Sequence, residues 1–285
     1  MAGQLAVLGT AVLMSTAGLT IKLLPWHPFV ITGVRSIISA TFLIVLRIIF
    51  PPLKNVKNRR LPLFMAAILF AAMMFSFVSA NKLTTAANAV FLQFGGPIWA
   101  ALLGWVLIKE KPHWEHWGAL VFVFGGLALF LRDGLGKGAI SGDILAVFCG
   151  IFFGAHTVFL RMLKEGNPRD AMLLAHAISA LIGIPFIVLY PPSFSVPSVL
   201  AILYMGIFQI GLASVLLAYG LKRIRAVQAM LITVAEPLLN PVWVLLITGE
   251  KPSLTALFGG AIIITAVVAS SLISKRREDN IRSRV

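Results

Sequence analysis

Apolar stretches close to twenty residues long recur from one end of this chain to the other. Ten can be marked, at 4–24, 28–50, 61–80, 86–108, 114–132, 140–162, 170–190, 197–221, 226–248 and 253–274. About 20 apolar residues cross the hydrocarbon of a bilayer as an α-helix. In lipid each backbone amide and carbonyl must find its partner inside the structure, which leaves helices or closed barrels. A barrel would show alternating segments of about 10 residues, and none is present. Composition agrees: 59% of the 285 residues are hydrophobic and 12% charged, against roughly a half and a quarter in soluble domains. The chain reads as an all-α integral membrane protein of ten transmembrane helices.

The breaks between stretches are short and carry turn and charge signals: "PWHP", "PPLKNVKNRR", "KEKPHW", "EGNPR" and "YPPSFSVPS". None has room for a soluble domain. The first stretch has no basic leader and reads as a span rather than a cleaved signal. The terminal "SKRREDNIRSRV" reads as a polar, mobile tail. The lone cysteine, Cys149, has no internal disulfide partner and reads as packing.

A net charge of +14 would suggest nucleic acid in a soluble protein. Here the basic residues cluster in alternate loops. With the N-terminus inside, 18 Lys and Arg fall on the inner side and 5 on the outer: Lys22, Lys82, Arg132, Lys137 and Lys251. That asymmetry predicts both termini in the cytoplasm, in a multi-pass protein of the cytoplasmic (inner) cell membrane, with no nucleic-acid partner.

The chain also repeats. "NKLTTAANAVFLQFGGPIWAALLGWVLIKEKP" from Asn81 aligns without gaps on "LKRIRAVQAMLITVAEPLLNPVWVLLITGEKP" from Leu221, at an offset of 140. Lys82 falls on Lys222, Pro97 on Pro237, and Glu110-Lys111-Pro112 on Glu250-Lys251-Pro252. Five spans per copy is an odd number, so the copies enter the membrane from opposite sides. Inverted repeats of this kind mark secondary transporters that bind cargo near the midplane, where the repeats meet. The predicted units are 1–137, 138–277 and a polar cytoplasmic tail at 278–285.

Ten spans in two halves, "KEKP" and "GEKP" after the fourth span of each, and "EP" in span 9 resemble the EamA branch of the drug/metabolite transporter (DMT) superfamily. The resemblance covers essentially the whole chain. It implies that spans 1–4 and 6–9 enclose a central cavity, with spans 5 and 10 outside them. It also implies a small polar metabolite as cargo.

Of ten acidic residues, Glu236 alone sits near a span centre. An ionised acid there costs roughly 3 kcal/mol on insertion scales, so it should face protein or a wet cavity. Ala229, Thr233, Glu236, Asn240 and Trp243 form a polar stripe at helical spacing, as a cavity wall would. The first copy has Gly96 where the second has Glu236, and Gln93 where the second has Thr233, so the architecture itself does not require the acid. Pro97 and Pro237 each remove an amide and leave a carbonyl unpaired. Arg35, the one Lys or Arg away from the span ends, lies about 10 Å deep at ~1.5 Å per residue. It can snorkel, pair with Glu236, or hold a cargo carboxylate.

Asn88, Gln93 and Trp99 in span 4 suit a cavity or interhelical contacts equally. His156 and His176 suit a proton relay or a neutral structural role. Ser15, Thr16 and Gln209 are further candidate lining residues. Trp26, Trp114 and Trp117 read as an interfacial belt, and Gly150-Ile-Phe-Phe-Gly154 as close packing. "GLGKGAIS" lacks the spacing of a phosphate-binding loop. No nucleophile sits beside a recognisable base, and no metal cluster or cofactor motif is present, so an enzyme is disfavoured. The expected function is secondary transport of an amine or amino-acid-like metabolite, in the export direction, with or without a coupled proton, by a monomer or homodimer. Export of lipophilic cations and lipid flipping are the alternatives.

Overall fold

The computed structural model describes residues 1–17, 20–21, 24–51, 59–84, 86–130, 132, 139–239, 243 and 254–282. Its helices are α1 (Ala2–Met14), α2 (Pro28–Ile49), α3 (Arg60–Leu83), α4 (Ala86–Gln93), α5 (Gly96–Ile108), α6 (Trp114–Phe130), α7 (Ile140–Arg161), α8 (Pro168–Leu189) and α9 (Val196–Tyr204). A π-helical segment, Met205–Leu212, leads into α10 (Ala213–Leu221), followed by α11 (Ala226–Thr233) and α12 (Leu254–Arg282). Among the described residues seven helical segments are long and apolar enough to cross a membrane, and three shorter apolar helices accompany them.

Local sequence fixes where these helices begin. Pro28, Pro168 and Pro197 occupy first turns, where the missing amide costs nothing and the ring presets φ. Ser195 and Ser198 form a reciprocal capping box at the start of α9. The helix α2 begins on Pro28 and α8 on Pro168, 140 residues apart, as the sequence offset requires. At the end of α5, Lys109 closes the helix in the left-handed conformation, with φ 58°.

Interruptions appear inside several predicted spans. Span 4 is broken by a turn at Phe94-Gly95. Span 9 is broken at Val234, the aligned position, and helix resumes from 235 to 239. In span 8 the π-helical segment adds a bulge. The α1 helix stops at Met14, short of the predicted end of span 1. The polar tail departs from expectation: α12 runs on through Arg282. Lys, Arg and Glu are good helix formers, and Arg277 reaches Glu115 at 3.7 Å while Ser274 meets His116 at 3.2 Å, tying the end of α12 to α6.

Small residues bring the backbones together, as membrane helices require in place of a hydrophobic drive. Helices α2 and α8 cross at Gly33 and Gly183, where a Cβ on Gly33 would lie 2.7 Å from the Gly183 Cα. The α3 helix packs along α7 and α8, and α1 along α10 and α11. Helices α6 and α12 pack on each other, with Gly126 beneath Ile263 and the Gly259 carbonyl.

Candidate functional site

A small pocket opens inside the bundle. Its walls come from α1 and the residues just after it (Met14, Ala17), α2 (Arg35), α3 (Met73, Met74, Phe77), α4 (Gln93), α7 (Cys149, Phe153), the π-helical segment (Gln209, Ile210) and Glu236. Among the described lining residues none comes from α6 or α12.

Glu236 is 8% exposed. Among the described residues its carboxylate takes part in no hydrogen bond or ion pair. Pro237 follows it, in the short helix after the Val234 turn. Arg35 is 1% exposed and does not snorkel. Its Nη2 donates to the Met74 sulfur at 3.2 Å, and its Nε has no partner among the described residues. A thioether is a weak acceptor, so this guanidinium has little of its donor capacity used. Among the described residues Gln93 Oε1 accepts only a long contact from the Cys149 thiol, at 3.5 Å. Gln209 is turned inward by the π-helical segment, a distortion common at functional sites. Its Nε2 donates to the Thr16 and Thr20 hydroxyls at 3.0 and 3.1 Å, and its Oε1 has no partner among the described residues.

Other sequence-derived candidates lie elsewhere. Thr233 is buried, and its hydroxyl donates to the Met230 carbonyl at 2.7 Å. Asn88 sits near the start of α7, where its Nδ2 donates to Asp143 at 2.9 Å and to Thr84 at 3.1 Å. Trp99 is 38% exposed, with its Cβ against Gly154. The Trp243 indole donates to Ser15 Oγ at 2.7 Å. Asn240 lies outside the described residues. His156 is buried, its Nδ1 2.8 Å from the Ala66 carbonyl, and His176 Nε2 meets Ser214 at 3.0 Å. The Phe70 ring stands between these two histidines, 4.9 and 5.3 Å from their centroids. The apolar walls carry no sequence signal, because methionines and aromatics that face a cavity look like those that face a core.

The break beside the pocket is held by close contacts. Pro97 leaves the Gln93 carbonyl without its helical amide. That carbonyl abuts Gly150, and the Gly96 carbonyl abuts Gly154; a Cβ on Gly150 would stand 2.7 Å from the Gln93 oxygen. At the helix ends, Arg161 joins α7 to its neighbours, bonding Glu110 at 2.9 Å and the Leu221 carbonyl at 2.7 Å. Lys82 donates to the Leu24 carbonyl at 2.8 Å, and Lys222, its aligned partner, to the Gly166 carbonyl at 2.8 Å. Arg47 pairs with Asp170 at 2.5 Å between α2 and α8.

Among the described residues, an acid, a guanidinium and two amides in an apolar pocket can hold a polar ligand. The uncharacterized transporter YwfM of Bacillus subtilis (strain 168) is 27% identical over 235 residues, 79% of this chain and 78% of its own. An uncharacterized transporter of Archaeoglobus fulgidus is 25% identical over 268 residues, 93% of this chain and 95% of its own. A protein of known crystal structure superposes with a TM-score of 0.82 over 97% of this chain and 98% of its own, at 19% identity, which concerns the fold alone. The EamA-like transporter family matches twice, at residues 1–132 and 140–272, and the chain belongs to that family, within the drug/metabolite transporter superfamily.

Proposed function

We propose that this chain is a secondary transporter that exports a small polar metabolite, amine or amino-acid-like, across the cytoplasmic membrane by alternating access. Ten spans form two inverted five-helix repeats, 1–137 and 138–277, with both termini in the cytoplasm. The observation that carries the reading is Glu236: a carboxylate without a protein partner among the described residues, in a pocket it shares with Arg35, Gln93 and Gln209. Such an acid suits a cationic group of the cargo or a coupled proton. The paired lysines support alternation. Lys82 and Lys222 make the same kind of bond in the two aligned halves, so inverted halves place one such latch at each membrane face.

The test is uptake into proteoliposomes of radiolabelled L-amino acids and amines, for the wild type and Glu236→Gln. The wild type is expected to move at least one of them. Glu236→Gln should lower that rate by about 100-fold and flatten its pH dependence, with yield and monodispersity unchanged. Normal transport with a normal pH profile in this variant overturns the assignment. A second reading, export of lipophilic cations, draws on the methionine and phenylalanine walls around the acid. Uptake of tetraphenylphosphonium, with no uptake of the metabolites, would favour it.

A further inference from the structure

We infer that the chain opens on one side only: α7 and span 4 stay joined as one body, and the seam that parts lies between α1 and span 9. This rests on the transporter reading above and names which of its two halves moves.

The repeat presents the same seam twice. Helix α7 packs along α4 and α5, and α1, its counterpart 140 residues earlier, packs on α11. If access alternated by an exchange of conformation between the halves, each seam would take up the arrangement of the other. The residues at the two seams forbid that.

Two kinds of tie hold α7 to span 4. The first is approach of main chain to main chain. A Cβ would stand 2.7 Å from the Gln93 carbonyl oxygen on Gly150, 2.5 Å from the Gly96 carbonyl oxygen on Gly154, and 2.8 Å from the Thr84 nitrogen on Gly142. The second is charge. At the start of α7, Asp143 accepts from the Thr84 hydroxyl at 2.6 Å and from the Asn88 amide at 2.9 Å. At its end, Arg161 donates to Glu110, just past span 4, at 2.9 Å. Hydrogen bonds to an ionised partner are roughly twice as strong as neutral ones. Both ends and the middle of α7 are therefore fixed.

The aligned positions in the first half are Ala2, Gly3, Thr10, Met14 and Ile21. Ala2, Thr10 and Met14 carry a Cβ where α7 has glycine, and real Cβ atoms essentially never come within 3.0 Å of a neighbour. The main-chain approach made by α7 is thus closed to α1 in every state. Gly3 and Ile21 stand where α7 has Asp143 and Arg161, so neither charged tie has a counterpart. Gly3 does lie close to its neighbours, but beneath side chains: its Cβ would be 2.8 Å from Arg223 Cβ and 3.2 Å from Ile224 Cγ2. A close contact at one end of a helix serves as a pivot for the other. Among the described residues one hydrogen bond joins the α1 side to span 9, from the Trp243 indole to Ser15 Oγ. It is neutral, and water can replace it. Met14 and Glu236 line the pocket from the two sides of this seam, so parting it opens the pocket.

The experiment follows thiol reactivity in the full chain in lipid nanodiscs. Labelling is read site by site by mass spectrometry, so native Cys149 is counted apart. Ser15 and Ala155 are aligned, and both are nearly buried, at 4% and 7% exposure. Ser15→Cys is expected to react with N-ethylmaleimide about tenfold faster than Ala155→Cys. Adding Asp143→Asn to Ala155→Cys weakens a charged tie and should raise its rate about fivefold. In the triple variant Ser15→Cys/Thr84→Cys/Asp143→Cys, closing the disulfide between positions 84 and 143 should leave the rate at position 15 within about twofold. Uptake of any compound that the wild type moves should be as little affected. Equal rates at positions 15 and 155, or a lock that slows position 15 about tenfold, would mean that both seams part, and either overturns the proposal. The comparison of rates needs neither the lock nor a known cargo. If the wild type moves no amino acid, amine or tetraphenylphosphonium while the rates differ as expected, the one-sided opening stands and the transporter reading fails.

Discussion

Residues 86–99 and 226–239 of the aligned segments fold alike but meet different neighbours. Each carries a proline at the same register, and each is broken just before it, at Phe94-Gly95 and at Val234. The first break is sealed: Gly150 and Gly154 bring α7 against the carbonyls of Gln93 and Gly96. Opposite the second break, the aligned positions on α1 are Thr10 and Met14. Side chains stand there in place of the glycines. Met14 and Glu236 then face a common space rather than each other's main chain. Both breaks border the pocket, through Gln93, Cys149 and Phe153 on one side and Met14 and Glu236 on the other, and the glycine pair marks only the first.

The largest expected effect breaks the sealed side. Gly150→Leu drives side-chain atoms into the Gln93 and Leu92 carbonyls. Overpacking usually costs about 1–3 kcal/mol, and backbone cannot yield as a side chain does, so loss of more than about 3 kcal/mol is expected. Fluorescence-detected size exclusion should show little monodisperse protein. Thr10→Val is the matched change in the other half. It removes only the hydroxyl bonded to the Ala6 and Ala213 carbonyls, about 1 kcal/mol, and should elute normally. Equal behaviour of the two would mean that the halves pack alike and the asymmetry is incidental.

Next in size is the pair of polar residues one turn before the breaks. Gln93 lines the pocket, whereas the Thr233 hydroxyl is spent on the Met230 carbonyl. Gln93→Leu should lower transport about tenfold, with melting temperature nearly unchanged. Thr233→Val should leave transport within about twofold and cost under ~1 kcal/mol in stability. Proteoliposome uptake beside thermal melting separates the two, and a reversed order would place the pocket on the wrong side of α11.

That reversal was invisible in the sequence, for a physical reason. Reading Thr233, Glu236, Asn240 and Trp243 as one stripe assumes an unbroken helix at roughly 100° per residue. The turn at Val234 interrupts that count; Glu236 lines the pocket, and the Thr233 hydroxyl donates to the Met230 carbonyl. That Glu236 and Arg35 would face protein or a cavity was legible because a mid-span charge costs too much to leave in lipid, and both line the pocket. The repeat was legible because aligned prolines and charges survive where apolar residues drift. Asn88 was ambiguous, since an amide that bonds a distant acid, here Asp143, 55 residues on, has the same local context as one that lines a cavity. The polar run after Ser274 lacked apolar periodicity, yet it carries helix formers and a contact to α6 that only the fold supplies.

The smallest effect tests whether the open side is held together by polar contacts of its own. The Trp243 indole donates to Ser15 Oγ at 2.7 Å, and Ser15 Oγ donates in turn to the Val12 carbonyl at 2.6 Å. The aligned pair in the other half is Leu103 and Ala155, which can make no such bond. Close glycine packing serves the sealed half instead, so the bond belongs where that packing is missing. Ser15→Ala leaves a partly buried indole N–H without its acceptor, a loss of about 1 kcal/mol. That corresponds to a few degrees in melting temperature and a few-fold change in transport. Ser15→Thr keeps the hydroxyl and should restore both. Ala155→Ser in the sealed half adds a hydroxyl that an i−4 carbonyl can satisfy within its own helix, so a change under about 0.5 kcal/mol is expected. Ser15→Ala matching the wild type in both readouts would show that side-chain volume alone keeps the second break open, and the hydrogen bond would be a consequence of the pocket rather than one of its supports.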